Sequence, residues 1–93
     1  MIRNRAGQTV TAEVLSTSGA AFSGTVTVYV TLDNGTQTLG TVASGVATLK
    51  GNGLYAYAPS QGETDAANVS FTFVGSGAIP AMTQYPTVPV ADE

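Results

Sequence analysis

Cysteine and histidine are both absent from the 93 residues of this chain, and charged residues supply only 10% of them. Without cysteine there is neither a disulfide framework nor a thiolate nucleophile. Without histidine the usual general base is missing, and with both gone so are nearly all transition-metal sites. Charge at this level lies well below the roughly 25% of an average globular protein; serine and threonine take its place. No basic stripe runs through the sequence, so the electrostatic footprint of nucleic-acid binding is lacking. No run approaches about 18 apolar residues, so no membrane span is expected. The start, MIRNRAGQTV, carries Arg3 and Arg5 without an apolar segment behind them, and is not expected to be a secretory signal.

What is present is hydrophobic alternation. Apolar residues make up 43% of the chain, and a domain of this length buries roughly 60–65% of its unfolded surface, enough for one modest core. In 8-QTVTAEVL-15, Val10, Ala12 and Val14 share one face. In 26-VTVYVTL-32, Val26, Val28, Val30 and Leu32 point one way and Thr27, Tyr29 and Thr31 the other. Asn34-Gly35 follows directly, a strong signal for a tight hairpin turn. A two-residue turn there pairs Asp33 with Thr36 and sets Leu39 opposite Val30. A second hairpin is expected between 46-VATLK-50 and 54-LYAYA-58, across Gly51-Asn52-Gly53. Val69, Phe71 and Phe73 form the apolar face of 69-VSFTFV-74, and a last strand is expected over Ala81 to Tyr85. Phe22, in the loop 16-STSGAAFSG-24, reads as a plug returning to the core. The segment 40-GTVASGV-46 stays open between strand, bulge and loop.

No window repeats the apolar spacing of an amphipathic helix. The one helix-start signal is Ser60-Gln61-Gly62-Glu63, a capping-box pattern in which Ser60 caps the Glu63 amide and Glu63 reaches back to Ser60. Gly62 and the residues after Glu63 cannot sustain a long helix. A single helical turn near residues 60–66 is therefore expected, where the chain changes layer. About six or seven short strands with Gly-rich turns then imply an all-β fold, an antiparallel two-layer β-sandwich. Residues 8–85 would form it, with 1–7 as an N-terminal arm and 86–93 as an extended C-terminal tail.

The segment 51-GNGLYAYAPSQGETDAANVSFTFVGSGAIP-80 resembles small immunoglobulin-like domains of tailed-bacteriophage virion proteins. The resemblance rests on Gly51 to Tyr55, on Ser60 with Glu63, on Val69 to Phe73, and on Gly75 to Ala78. It covers about a third of the chain. Ala58-Pro59-Ser60 departs from the pattern, where a larger apolar residue and a threonine are expected. It implies an immunoglobulin-like β-sandwich in a structural protein of the virion.

The polar residues offer little chemistry beyond this. Glu63 and Asp65 could be imagined as a hydrolytic pair or a Ca²⁺ shell, but capping and solvation account for both. Asp33 reads as a turn residue and Lys50 as a solvated charge at a hairpin end. Gly51-Asn52-Gly53 lacks the strand–helix context of a phosphate-binding loop. No catalytic residue, metal ligand or cofactor is expected. Tyr29, Tyr55 and Tyr57 could stack on sugars or anchor a partner, although strand tyrosines need no function to be there. The small alanines opposite Tyr55 and Tyr57 make those two tyrosines candidates for the buried pair.

The expectation is thus a capsid decoration or cement protein on the outer surface of a phage head. It would bind the major capsid protein, or other virion subunits, in many copies and self-associate in the particle. Partner-binding candidates are Arg3, Arg5, Tyr29, Tyr85, Val88 and Val90, in the terminal arms and on the strands. The alternatives are a tail, neck or tail-tip module, and a carbohydrate-binding or adhesion module.

Overall fold

The computed structural model describes residues 1–33 and 35–88. In chain order the strands are β1 (Val10–Glu13), β2 (Leu15–Ser16), β3 (Thr27–Leu32), β4 (Thr38–Leu39), β5 (Thr48–Gly51), β6 (Leu54–Tyr57), β7 (Asn68–Val74), β8 (Ala78–Ile79) and β9 (Ala81–Pro86). Two 3₁₀ turns, Val42–Gly45 and Gly62–Thr64, complete the regular structure. The strands form a three-stranded sheet in the order β1-β6-β5, a four-stranded sheet in the order β4-β3-β7-β9, and a small β2-β8 ribbon. All of these pairings are antiparallel.

The two larger sheets bury each other's alternating residues in one core. From the three-stranded side come Val10, Ala12, Tyr55 and Tyr57; from the four-stranded side come Val28, Val30, Val69, Phe71 and Phe73. The register explains the match, because Val28 lies opposite Phe73 and Val30 opposite Phe71, putting all four on the same face. Tyr57 and Tyr85 both pack on Phe71, with ring centroids 6.3 and 6.2 Å away. Tyr55 and Tyr57 are the buried pair, 1% and 3% exposed. Phe22 plugs one end of the core against Tyr55, in a slot so narrow that a Cβ on Gly24 or Gly75 would come within 2.8 Å of its ring.

The second hairpin forms as expected, with Thr48 opposite Ala56 and Leu49 opposite Tyr55, then a bulge before Gly51. The first hairpin differs. Asn34 lies outside the described residues, but Gly35 N–H donates to Leu32 O at 2.9 Å and Asp33 adopts φ 53°. Asp33 is already engaged with the neighbouring strand: its N–H donates to Asn68 O, and its carboxylate accepts from Asn68 N–H. It is therefore not free to pair with Thr36. Thr38 lies opposite Val30, and Leu39 lies opposite Tyr29 instead. A one-residue slip moves a side chain to the other face of a sheet, and Leu39, expected inside, is 49% exposed.

Residues 1–7, expected as a separate arm, are hydrogen-bonded to the domain. Ile2 bridges Val88 in parallel fashion, Val88 N–H donates to Met1 O, and Arg3 N–H donates to Val88 O. The Gln8 side chain holds this segment in shape by bonding both backbone groups of Ile2. Of the expected tail, Pro86 ends β9 and Thr87 N–H donates to Ala67 O, while residues 89–93 lie outside the described residues.

Phe71 is solvent-free and central to both layers. Phe71→Ala is expected to lower the unfolding free energy by about 3–5 kcal/mol, whereas Met82→Ala, on the outer face, should stay within about 0.5 kcal/mol. Urea titration of the two variants against the parent measures both.

Candidate interaction surfaces

Among the described residues, Glu63 is the one carboxylate drawn into the interior, at 8% exposed. Three donors from separate positions hold it: Thr41 N–H at 2.8 Å, Ser60 N–H at 3.0 Å and the Tyr57 hydroxyl at 2.8 Å. The Ser60 contact is the backward half of the expected capping box. The forward half is absent, because the 3₁₀ turn starts from Gln61 without a side-chain cap, and Ser60 Oγ accepts from the Thr41 hydroxyl instead. A turn this short has too few unpaired amides to require both caps.

Tyr57 Oη in turn accepts from Val42 N–H at 3.1 Å. Gly40 leaves room for that hydroxyl, since a Cβ there would stand 2.6 Å from it. The pair thus grips the start of a strained loop, in which Ala43 and Ser44 occupy left-handed backbone at φ 52° and 58°. Such residues are unfavourable by about 1–2 kcal/mol each and persist only where their surroundings enforce them. Both Glu63 oxygens are occupied by these protein donors, so the site is a structural clamp. Asp65, two residues on, is half exposed and pairs with Arg3 at 3.2 Å.

The partner candidates fall in three places. Arg3, Arg5 and Val88 lie around the Ile2–Val88 bridge. Arg3 is engaged with Asp65; Arg5 is exposed, with its backbone N–H donating to the buried Thr64 hydroxyl. Val88 is 54% exposed. Tyr85 belongs to the core edge through Phe71. Val90 lies outside the described residues. Tyr29 stands on the outer face of the four-stranded sheet.

That outer face was not anticipated from the sequence. Pairing register lines up Leu39, Tyr29, Thr72 and Met82 in one row across all four strands. Met82 is 63% exposed. None of the residues of β3, β4, β7 and β9 is charged. The signal was available in the alternate positions of these strands, but only the register shows that they adjoin. The opposite sheet differs, carrying Glu13 on β1 and Lys50 on β5. There, Thr9, Thr48, Lys50, Ala56, Tyr57 and Ala58 line a cleft of about 190 Å³. This is below the roughly 300–1,000 Å³ of typical ligand pockets.

Comparison with known protein families, curated proteins and solved structures gives no match.

Burial raises the Tyr57 phenol from 10.0 to about 12; the Val42 N–H opposes this and the Glu63 carboxylate adds to it. Between pH 10 and about 12 the unfolded chain gives up this proton while the fold retains it. The fold then binds more protons than the unfolded chain, so stability falls as pH rises. The contribution is fully present below pH 10 and decreases by on the order of 2 kcal/mol across that window. Tyr57→Phe, which orphans Val42 N–H and removes one donor from Glu63, should cost about 1–3 kcal/mol at neutral pH. The difference between variant and parent, followed by denaturant unfolding, should shrink as pH rises past 10.

Proposed function

We propose that this chain is an immunoglobulin-like structural protein of a tailed-phage virion, a capsid decoration protein that binds the major capsid protein in many copies on the outer head surface. The observation carrying the reading is the strand order. With β1, β6 and β5 taken as strands B, E and D, and β4, β3, β7 and β9 as C′, C, F and G, this order supports an immunoglobulin-like arrangement without strand A. The Gly51–Ala78 resemblance points to the same domain type. What the surface offers a partner is contact area: an uncharged outer face at one sheet, and an exposed Arg5 beside the Ile2–Val88 bridge. Arg5 is the better candidate for a shell carboxylate, because Arg3 is engaged with Asp65.

The carbohydrate alternative loses two of its three platforms. Tyr55 and Tyr57 are buried, and their hydroxyls are bonded to Gly24 O and to Glu63. Only Tyr29 remains on an open face.

Purified protein mixed with empty heads and, separately, with isolated tails tests the proposal by co-sedimentation. Saturable, stoichiometric pelleting with heads is expected, weakened by Arg5→Glu. Pelleting with tails alone would move the protein to the tail, neck or tip. Pelleting with neither would overturn the virion reading.

A further inference from the structure

We infer that the outer face of the four-stranded sheet is a self-association surface, on which two copies of this chain stack face to face about a two-fold axis running along the strands between β3 and β7. Electrostatics favours this face over the others. The chain carries a net charge of −3, so copies repel one another except where they meet through uncharged surface. Among the described residues, charge occurs at Arg3, Arg5 and Asp65, at the β3 end near Asp33, on Glu63 in the connection after β6, and on the opposite sheet at Glu13 and Lys50. The β4-β3-β7-β9 sheet has none.

The relief of the face is self-complementary. Across the strands the row reads Leu39, Tyr29, Thr72, Met82. An axis along the strands inverts that row on the facing copy. Leu39 then meets Met82 of the second copy, and Tyr29 meets Thr72, each pairing occurring twice. The tall tyrosine falls on the short threonine, and the two exposed aliphatic side chains, 49% and 63% open to solvent in the single chain, cover each other. An isologous contact needs this correspondence of a patch with its own inverse.

Size sets the strength. The four strands, about 4.8 Å apart, hold 6, 2, 7 and 6 residues at about 3.3 Å per residue and give a footprint of roughly 330 Å² per copy. This is under half of the roughly 800 Å² per partner found in stable complexes. The dimer is therefore weak, populated at high protein concentration or where many copies are held side by side. The inference rests on this face alone, so its failure and the failure of head binding are separate results.

Sedimentation equilibrium of the full chain, from about 10 µM to about 1 mM, reads the association directly. The weight-average mass should climb above 9.4 kDa with concentration. Met82→Lys should weaken association by roughly tenfold or more, by placing a cation at both ends of the joint row. Lys50→Glu, on the opposite sheet, should not weaken it. Adding Leu39→Glu to Met82→Lys should restore association, because each new carboxylate faces a new ammonium only across the proposed axis. Circular dichroism and urea midpoints establish that each variant is folded. A mass fixed at 9.4 kDa throughout, association undiminished in folded Met82→Lys, or a double variant no better than the single one would overturn the proposal.

Discussion

The Glu63 carboxylate stands where two of the three connections between the layers pass. One connection leaves β4 in the four-stranded sheet and reaches β5 in the other through the strained Val42–Gly45 turn; the second leaves β6 and returns to β7 through Gly62–Thr64. Glu63 lies on the second connection, accepts from Thr41 on the first, and accepts from Tyr57 at the end of β6. A buried carboxylate deprived of donors is costly by several kcal/mol, so each of its three bonds supports the fold around it. These bonds tie the two crossovers to each other and to the end of β6. The left-handed residues Ala43 and Ser44 follow from this, since the loop must turn sharply enough to offer both Thr41 and Val42 amides inward.

Away from the clamp, the core is held by shape and area rather than by polar chemistry. β-Branched valines lose little side-chain freedom in a strand and pack closely on a pleated surface. Valine dominates the β3 face, while the larger Phe71, Phe73, Tyr55 and Tyr57 fill the space between layers. The tyrosines serve where phenylalanine would not, because each hydroxyl ends at a loop that needs it. Tyr55 donates to Gly24 O at 2.8 Å, near the Phe22 plug, and accepts from Gly24 N–H at 3.0 Å. Tyr57 performs the same task at the opposite loop. Two aromatic side chains thus close the core and pin a loop at each end.

Local patterning made the strands legible, and long-range geometry hid the rest. Period-two alternation is a property of neighbouring residues, so the faces of β1, β3 and β7 could be read directly, and so could the burial of Tyr55 and Tyr57 over their alanine neighbours. Leu39 could not be placed in the same way. Its face depends on a turn whose position is set by Asn68, 35 residues from Asp33. Glu63 was legible as a capping residue through its contact with Ser60, while its bond to Thr41 comes from a distant segment with no pattern of its own. The parallel bridge between Ile2 and Val88 likewise joins segments that only the finished fold brings together. The uncharged row belongs to the same class: Leu39, Tyr29, Thr72 and Met82 adjoin only through three separate registers. The site that matters for contact is therefore the least visible in sequence, because it is made of spacing between strands rather than along them.

The edges of the sheets decide which surface is left for association. An open edge strand invites another chain to add to it through the backbone, and proteins suppress this with charge, bulges and short strands. β5 carries Lys50 and a bulge between Leu49 and Gly51, and β4 is only two residues long. On the far side, the β2–β8 ribbon covers the approach to β9 at one end and the Ile2–Val88 bridge covers it at the other. With growth through the backbone discouraged on both flanks, contact between copies is directed to side chains. Of the two outer faces, only the one beneath Tyr29 and Met82 is free of like charge. Among the described residues, charge lies on the opposite sheet, in the first residues and in the connections, and that distribution gives an otherwise uniform β-domain a preferred side.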